Sequence, residues 1–552
     1  MKKTIVILFI ALGVIPVIDV YSCTNFLVTR SASVTGSTMI SYAADSHTLY
    51  GELYYSPSAD YPEGTMLNVY EWDSGKYLGK IKQVRHTYSV IGNMNEHQVA
   101  LGETTYGGRL ELVDTTAQFD YGSMMYIALQ RAKTAREAIQ VMGELVAEYG
   151  YCSEGESLSV SDKDEVWIME IIGKGPGRKG AVWVALRIPD GYICAHANQA
   201  RIRTFPLNDP ENCLYAADVI SFAQEKGYYR GADKDFSFSD TYAPVSFEGA
   251  RFCEARVWAF FRRFNHDMDQ YLDYVQGKNP VNRMPLWVKP DRKLSSQDMM
   301  QCMRDHFEGT PLDMTRDIGA GPFSLPYRWR PLTWTVNEET YCNERAAATQ
   351  QTGFSFIAEA RNWLPDWIGG IFWFGVDDAA TTVYTPMYCG MTRVPENFAV
   401  GNGDMITYSP TSAFWMFNQV ANFCYLRYDV MTPDVIKVQT ALEQKYQNDI
   451  SVTDKEALDL YKKDQKAARE YLTDYSVSMG VNTFNRWKEL SAFLLVKYMD
   501  GNIKQEKDGK FLDNGYDVHI PAAPVHAGYP AWWYEKIVEN TGDKLKVEES
   551  TH

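Results

Sequence analysis

The chain has 552 residues, of which 45 % are hydrophobic, 14 % aromatic and 22 % charged, a balance that fits a large buried core and excludes extended disorder. Its formal net charge of −16, with no dense basic run, excludes a nucleic-acid binder that relies on phosphate contacts. Beyond the N-terminus no stretch reaches 18 apolar residues, which excludes a multi-span membrane protein and leaves no integral membrane segment in the mature chain.

The chain opens with a targeting pattern. Met1-Lys2-Lys3 is a positive n-region, and Thr4 to Ile18 is an almost unbroken apolar stretch. Val20-Tyr21-Ser22 then places moderate and small residues before a cleavage site. Residues 1–22 therefore read as a signal peptide, and the mature protein as periplasmic or secreted, starting at Cys23. Val20-Tyr21-Ser22-Cys23 also approaches a lipobox, so a lipid anchor on Cys23 is the minority alternative. Two features oppose it. Tyr21 is bulky for its position, and Cys23 is followed by a strand-like run instead of a polar tether.

Cys23 to Thr29 is rich in β-formers, Ser33–Gly36 reads as a turn, and Ser37 to Tyr42 is again strand-like, which predicts a hairpin. Residues 78–106 continue in that style, with a turn at Asn93–His97. Tyr121 to Ala132 reads as a helix. Thr134-Ala135-Arg136-Glu137 is a capping box for a second helix, with Ile139, Met142 and Val146 on one face and Gly150 at the C-terminal cap. Val166–Ile172, Ala181–Ile188 and Tyr192–His196 read as strands. Gly173-Lys174-Gly175-Pro176-Gly177 precedes a strand instead of opening a helix, so it reads as a hairpin connection and not a phosphate loop.

Residues 210–320 look largely helical, and 320–430 read as further strands and loops. Thr432-Pro433 predicts a helix start with proline in the first turn, and Val435, Val438, Leu442 and Tyr446 mark its apolar face. Two more helices are predicted, at about Thr453–Tyr475 and Thr483–Met499. Strands, helices and strands again indicate an α+β protein with helices packed on sheets. The expected division is a mixed α/β region over 23–430 and a mainly helical region over 431–552.

Nine cysteines are scattered without a CxxC, an odd number that leaves at least one thiol free if all pairing is intramolecular. There is no HExxH and no GxSxG, and the histidines lack zinc-ligand spacing. Attention therefore falls on Cys23. A cysteine at a mature N-terminus carries a nucleophile and a base in one residue, because its α-amine has a pKa of about 7.7–8 and can take the thiol proton.

Cys23-Thr24-Asn25, followed by a hairpin and then Ala44-Asp45-Ser46, resembles the opening of the PepD-type dipeptidases, relatives of penicillin V acylase and choloylglycine hydrolase. Gly102-Glu103-Thr104-Thr105, Val166 to Gly173, Arg187-Ile188-Pro189-Asp190 and Ala195 to Ile202 extend the resemblance. So do Arg256-Val257-Trp258, His306 to Pro311 and Tyr384 to Tyr388. It covers roughly 23–430 and implies an αββα sandwich of the N-terminal nucleophile hydrolase type, hydrolysis of unblocked dipeptides and no cofactor.

Residue by residue, the resemblance implies Cys23 as nucleophile, Asp45 as the carboxylate that orients the α-amine, and Asn198 as a side-chain oxyanion donor, with a backbone N–H near Thr104 or Thr105 as a second donor. A later arginine completes the pattern; Arg256 ranks ahead of Arg251. The wider group carries an arginine three positions before the aspartate, where this chain has Tyr42. His196 is tempting as a base but reads better as a packed, structural histidine. Two alternatives stand beside the dipeptidase reading. One is an amidase or acylase of N-acylated small molecules, of the penicillin V acylase or bile-salt hydrolase type. The other is a non-catalytic lipoprotein anchored at Cys23.

Overall fold

A computed structural model describes residues 23–548. The signal-peptide reading of residues 1–22 lies outside the described residues. The protein is α+β, built on two large sheets in which every strand pair is antiparallel. The first sheet has seven strands, in the order Trp287–Val288, Ile193–His196, Asn25–Val28, Thr38–Asp45, Thr352–Ala360, Gly370–Val376, Thr385–Tyr388. The second has eight, running from Cys213–Tyr215 through Ala181–Arg187, Val166–Gly173, Gly155–Ser161 and Ala100–Gly107 to three short strands.

Both sheets are interior. The Thr38–Asp45, Gly155–Ser161 and Val166–Gly173 strands are buried along their whole length, on both faces. One face of each sheet meets the other sheet, and helices cover the opposite face. On the eight-stranded sheet the cover is Tyr121–Leu129 and Ala135–Tyr149, whose Ile139, Met142 and Val146 pack with Leu158, Val160 and Trp167. On the seven-stranded sheet it is Ala255–Arg262, Ser296–Met303, Ala413–Leu426 and Gln465–Tyr498.

Polar groups, not only hydrocarbon, join the two sheets. Asn25 Nδ2 donates to the Glu103 carbonyl at 2.6 Å. A Cβ at Gly102 would lie 2.3 Å from Asn25 Oδ1, so only glycine allows this approach. His196, on the strand beside Asn25, bridges the same gap: Nδ1 lies 2.7 Å from Thr104 Oγ1 and Nε2 lies 2.8 Å from Ser159 Oγ. Burial, reinforced by the Arg201 charge, lowers its pKa to about 3, so it is a neutral structural residue, as the sequence suggested.

The predicted hairpins and the capped helix form. Thr134 Oγ1 accepts from the Glu137 N–H, and Gly150 takes φ 85° at the C-terminus. The reciprocal arm of the box shifts by one residue, because the Glu137 carboxylate accepts from Lys133 N–H and not from Thr134. The 173–177 segment connects two antiparallel strands.

The C-terminal helices differ from expectation. The first runs Tyr428–Tyr461, starting a turn before Pro433, which is accommodated inside it. The predicted second helix straddles the break: Thr453 to Tyr461 ends the first helix, and the remainder joins the predicted third helix in Gln465–Tyr498. The chain breaks at Lys462–Asp464, where Asp464 caps the new helix through the N–H groups of Lys466 and Ala467. Gly480, in the gap between the two predicted helices, is a helix-interior contact: a Cβ there would lie 2.3 Å from Pro395. The helix Ala413–Leu426 falls where strands and loops were expected: its buried residues form a helical stripe, but Trp415, Phe423 and Leu426 on the outer face are also apolar and blur that stripe in the sequence.

Candidate active site

Sheet register assembles the site around the first described residue. Asn25 opposes His196 on one side, and Thr24 bridges Ala43 on the other. Continued outward, these registers place Asn198 on one flank of Cys23 and Ala44-Asp45 on the other. Three segments distant in sequence therefore meet at one strand end. Asn198 turns there in a left-handed conformation, φ 60°, which asparagine tolerates better than most residues.

Arg256 ties these ends together. Its Nη1 donates to the Cys23 carbonyl at 2.5 Å and to Thr24 Oγ1 at 2.8 Å. Its Nη2 donates to the Ala197 carbonyl at 3.2 Å and to Asn198 Oδ1 at 2.9 Å, and Nε donates to the Phe252 carbonyl. All five guanidinium donors are thereby used. A π-helical turn, Gly249–Glu254, leads into the helix that carries Arg256 and sets its phase. Burial, and then the nearby Arg345 charge, lowers the Arg256 pKa to about 10, which still leaves it protonated at neutral pH. Arg251, the competing candidate, is not at the site: its Nε donates to Glu344 at 2.8 Å.

Asn198 Nδ2 donates to the Thr105 carbonyl at 2.7 Å. Because Arg256 carries only donors, it fixes the amide with Oδ1 toward itself and Nδ2 away. Asp45 is fully buried and paired with Arg345 at 2.6 Å, and its Oδ1 accepts from Thr352 Oγ1 at 2.7 Å. Burial lifts the Asp45 carboxyl above the ordinary range, opposed by Arg345, Thr352 and Arg256.

The thiol faces a small cavity whose lining includes Tyr42, Asp45, Asp73, Glu103 and Tyr121. Cys23 Sγ lies 3.6 Å from Tyr42 Oη and 3.4 Å from Glu103 Oε1, and the Tyr42 hydroxyl donates to the same carboxylate oxygen. Burial, then the Glu103 and Asp45 charges, pushes the thiol well above its ordinary pKa. Cys23 therefore rests as a neutral thiol, and a neutral thiol needs a base before it can act as a nucleophile.

The profile of peptidase family C69 matches residues 22–441. The chain belongs to peptidase family C69. Among individual relatives of this C69 peptidase, a probable dipeptidase of Latilactobacillus sakei is 25 % identical over 460 residues, covering 79 % of this chain and 88 % of the relative. A probable dipeptidase of Salmonella dublin is 24 % identical over 413 residues, 71 % of this chain and 86 % of the relative. Dipeptidase A of Lactobacillus helveticus is 25 % identical over 406 residues, 68 % and 76 % of the two chains.

In this C69 peptidase the structure brings together Cys23, Asp45, Asn198 and Arg256, all four of the residues singled out by sequence. It adds four that the sequence reading left without a role. Tyr42 occupies the arginine position of the wider group and reaches the thiol. Positive charge comes instead from Arg256 and from Arg345, 300 residues from its partner Asp45. Glu103 stood in a quoted motif, and Asp73 carried no local signal. Among the described residues no helix is long and apolar enough to cross a membrane.

Proposed function

We propose that the chain is an exported dipeptidase in which removal of residues 1–22 makes Cys23 the N-terminal residue and catalytic nucleophile. The observation that carries this reading is the convergence of Cys23, Asn198 and Arg256 at one strand end, with Cys23 lining a cavity. The arrangement of helices on the outer faces of two stacked antiparallel sheets supports assignment to the N-terminal nucleophile hydrolase class.

The α-amine of Cys23 takes the thiol proton as Sγ bonds to the carbonyl carbon of the substrate's first residue. The carbonyl π electrons move to oxygen, and the Asn198 amide is the side-chain donor to that oxyanion. Collapse of the intermediate breaks the C–N bond. The second residue leaves as an amine, taking the proton held by the Cys23 ammonium. Water then attacks the thioester, giving a proton to the α-amine. The thioester C–S bond breaks, and the proton returns to sulfur as the first amino acid departs. Arg256 positions both partners of this chemistry, the Cys23 carbonyl and the Asn198 amide. Asp45, held by Arg345, acts on the amine from the neighbouring strand.

The test is a substrate panel of free dipeptides, N-acetyl dipeptides, penicillin V and glycine-conjugated bile acids, run with wild type and Cys23→Ala. Cleavage of free dipeptides, abolished in Cys23→Ala, supports the reading. Cleavage of the conjugates with free dipeptides inert makes the protein an acylase and overturns it.

A further inference from the structure

Among the described residues, the cavity beside Cys23 is lined by carboxyl groups and by no basic side chain. Glu103 and Glu156 are almost wholly buried, and Asp73 lines the same cavity as Glu103 and Cys23. Among the described residues none of these three carboxyls forms an ion pair; the buried arginines nearby are committed elsewhere, Arg345 to Asp45 and Arg201 to Glu254. Glu103 Oε1 receives the Tyr42 hydroxyl and the Cys23 thiol, and Glu156 Oε1 receives Thr105 Oγ1 at 2.8 Å. The second oxygens, Glu103 Oε2 and Glu156 Oε2, are buried and receive no donor from another described residue; a proton held by Glu156 bonds the two carboxyls to each other, so the pair keeps its negative charge on Glu103. Asp73 Oδ1 accepts only from Tyr121, at 3.0 Å.

Burying carboxyls without a partner is costly, and proteins avoid it unless something else supplies the charge. Desolvation raises all three pKa values, Asp73 to about 6 although its side chain reaches solvent at the cavity mouth, and Glu103 further raises Glu156. The acidic side of the site can thus receive a cation from the substrate in addition to the Cys23 amine, which the mechanism above assigns to Asp45. Among the described residues no group of three His, Cys, Asp or Glu side chains has the geometry to hold a metal ion, so an organic cation fits better.

We propose that Glu103, with Asp73 on the same cavity wall and Glu156 behind it, receives the α-ammonium group of the substrate's first residue and so selects unblocked N-termini. The inference rests on the dipeptidase reading above. In an amino acid the α-nitrogen lies about 2.5 Å from the carbonyl carbon, by standard bond lengths. A carbonyl within bonding reach of Cys23 Sγ therefore carries its ammonium beside that sulfur, and Glu103 Oε1 stands 3.4 Å from it. A primary ammonium has three donors, enough for Glu103 Oε1 and for Asp73 together. An N-acylated substrate has one N–H, no charge and a bulky acyl group, and it leaves the carboxyls uncompensated.

The experiment measures kcat and KM on alanyl-alanine, N-acetyl-alanyl-alanine and propionyl-alanine, the last being the same dipeptide without its amine. Wild type, Glu103→Gln and Asp73→Asn are compared, with a thermal melt of each. The expected result is a strong wild-type preference for alanyl-alanine. Glu103→Gln should lower kcat/KM on alanyl-alanine about 30-fold or more, the scale of losing one partner of a buried charge pair. Propionyl-alanine should change far less, so the discrimination collapses; a merely structural role would lower both together. Asp73→Asn, a loop substitution, should move in the same direction and tests the idea independently should Glu103→Gln fold poorly. If wild type cleaves dipeptides and both variants keep full discrimination, this inference is overturned while the dipeptidase reading stands. If wild type cleaves none of the three dipeptide substrates, the underlying reading fails, and this inference with it.

Discussion

Arg256 Nη2 donates to Asn198 Oδ1 at 2.9 Å, while Nη1 of the same guanidinium donates to the Cys23 carbonyl at 2.5 Å. One planar group thus sets the separation between Cys23 and Asn198, the proposed nucleophile and oxyanion donor, which lie 175 positions apart in sequence. Asn198→Ala should lower kcat by about 10²–10³ with a smaller effect on KM, because the donor acts mainly on developing charge. Arg256→Lys should also lose most activity, since a single ammonium cannot reproduce five planar donors. Wild-type kcat/KM in both variants would contradict these roles.

Asp45 and Arg345 form a pair with side chains 0 % and 3 % exposed. Removing one partner leaves the other as a buried uncompensated charge, so Asp45→Asn and Arg345→Met should each cost about 3–5 kcal/mol of stability. The double variant should cost much less than the sum of the two, as expected for direct coupling. Chemical denaturation of the three variants checks this, and simple additivity would argue against it. Asp45→Asn should in addition slow acylation in the fraction that remains folded.

Activity should depend on pH through the amine and not through the thiol. Burial holds the thiol neutral far above the working range, and the Cys23 amine must be unprotonated to act, so kcat should rise through about pH 7.7–8. On the acid side Asp73, raised to about 6, takes up a proton as the pH falls, which weakens its hold on a substrate ammonium and raises KM. Asp73→Asn should remove that limb. An unchanged acid limb in the variant would show that another group titrates there.

His196 makes a stability prediction of opposite sign. Its folded pKa is depressed to about 3 from an unfolded value of about 6.5. Its contribution is therefore complete above about pH 6.5 and is lost as the pH falls toward 3, where the unfolded chain binds a proton that the folded one refuses. In His196→Gln the decline of Tm between pH 6.5 and 4 should be shallower than in wild type. An identical decline in both proteins would contradict this.

Much of the site could be read from sequence, because it is local in two places. The Cys23 hairpin and the His196–Asn198 strand end are short patterns, and antiparallel register brings them together automatically. Glu103 and Arg345 were not legible as site residues. Glu103 reaches the thiol only because the Gly102–Asn25 contact brings two sheets close, and the Asp45–Arg345 pair has no local spacing at all. The same limit explains the helices. Asp464 as an N-cap is a local signal that helical periodicity masked, whereas Gly480 against Pro395 is a tertiary contact that no window of sequence displays.

The central claim is that thiol and base reside together in an N-terminal Cys23. It is tested most directly by placing a single alanine before Cys23 in the mature protein and comparing kcat/KM on a free dipeptide with that of the unextended chain. The extension turns the basic amine into an amide and leaves every side chain in place. The account requires activity to fall to background. Turnover within a few-fold of the unextended protein would contradict it, and would place the base on another residue.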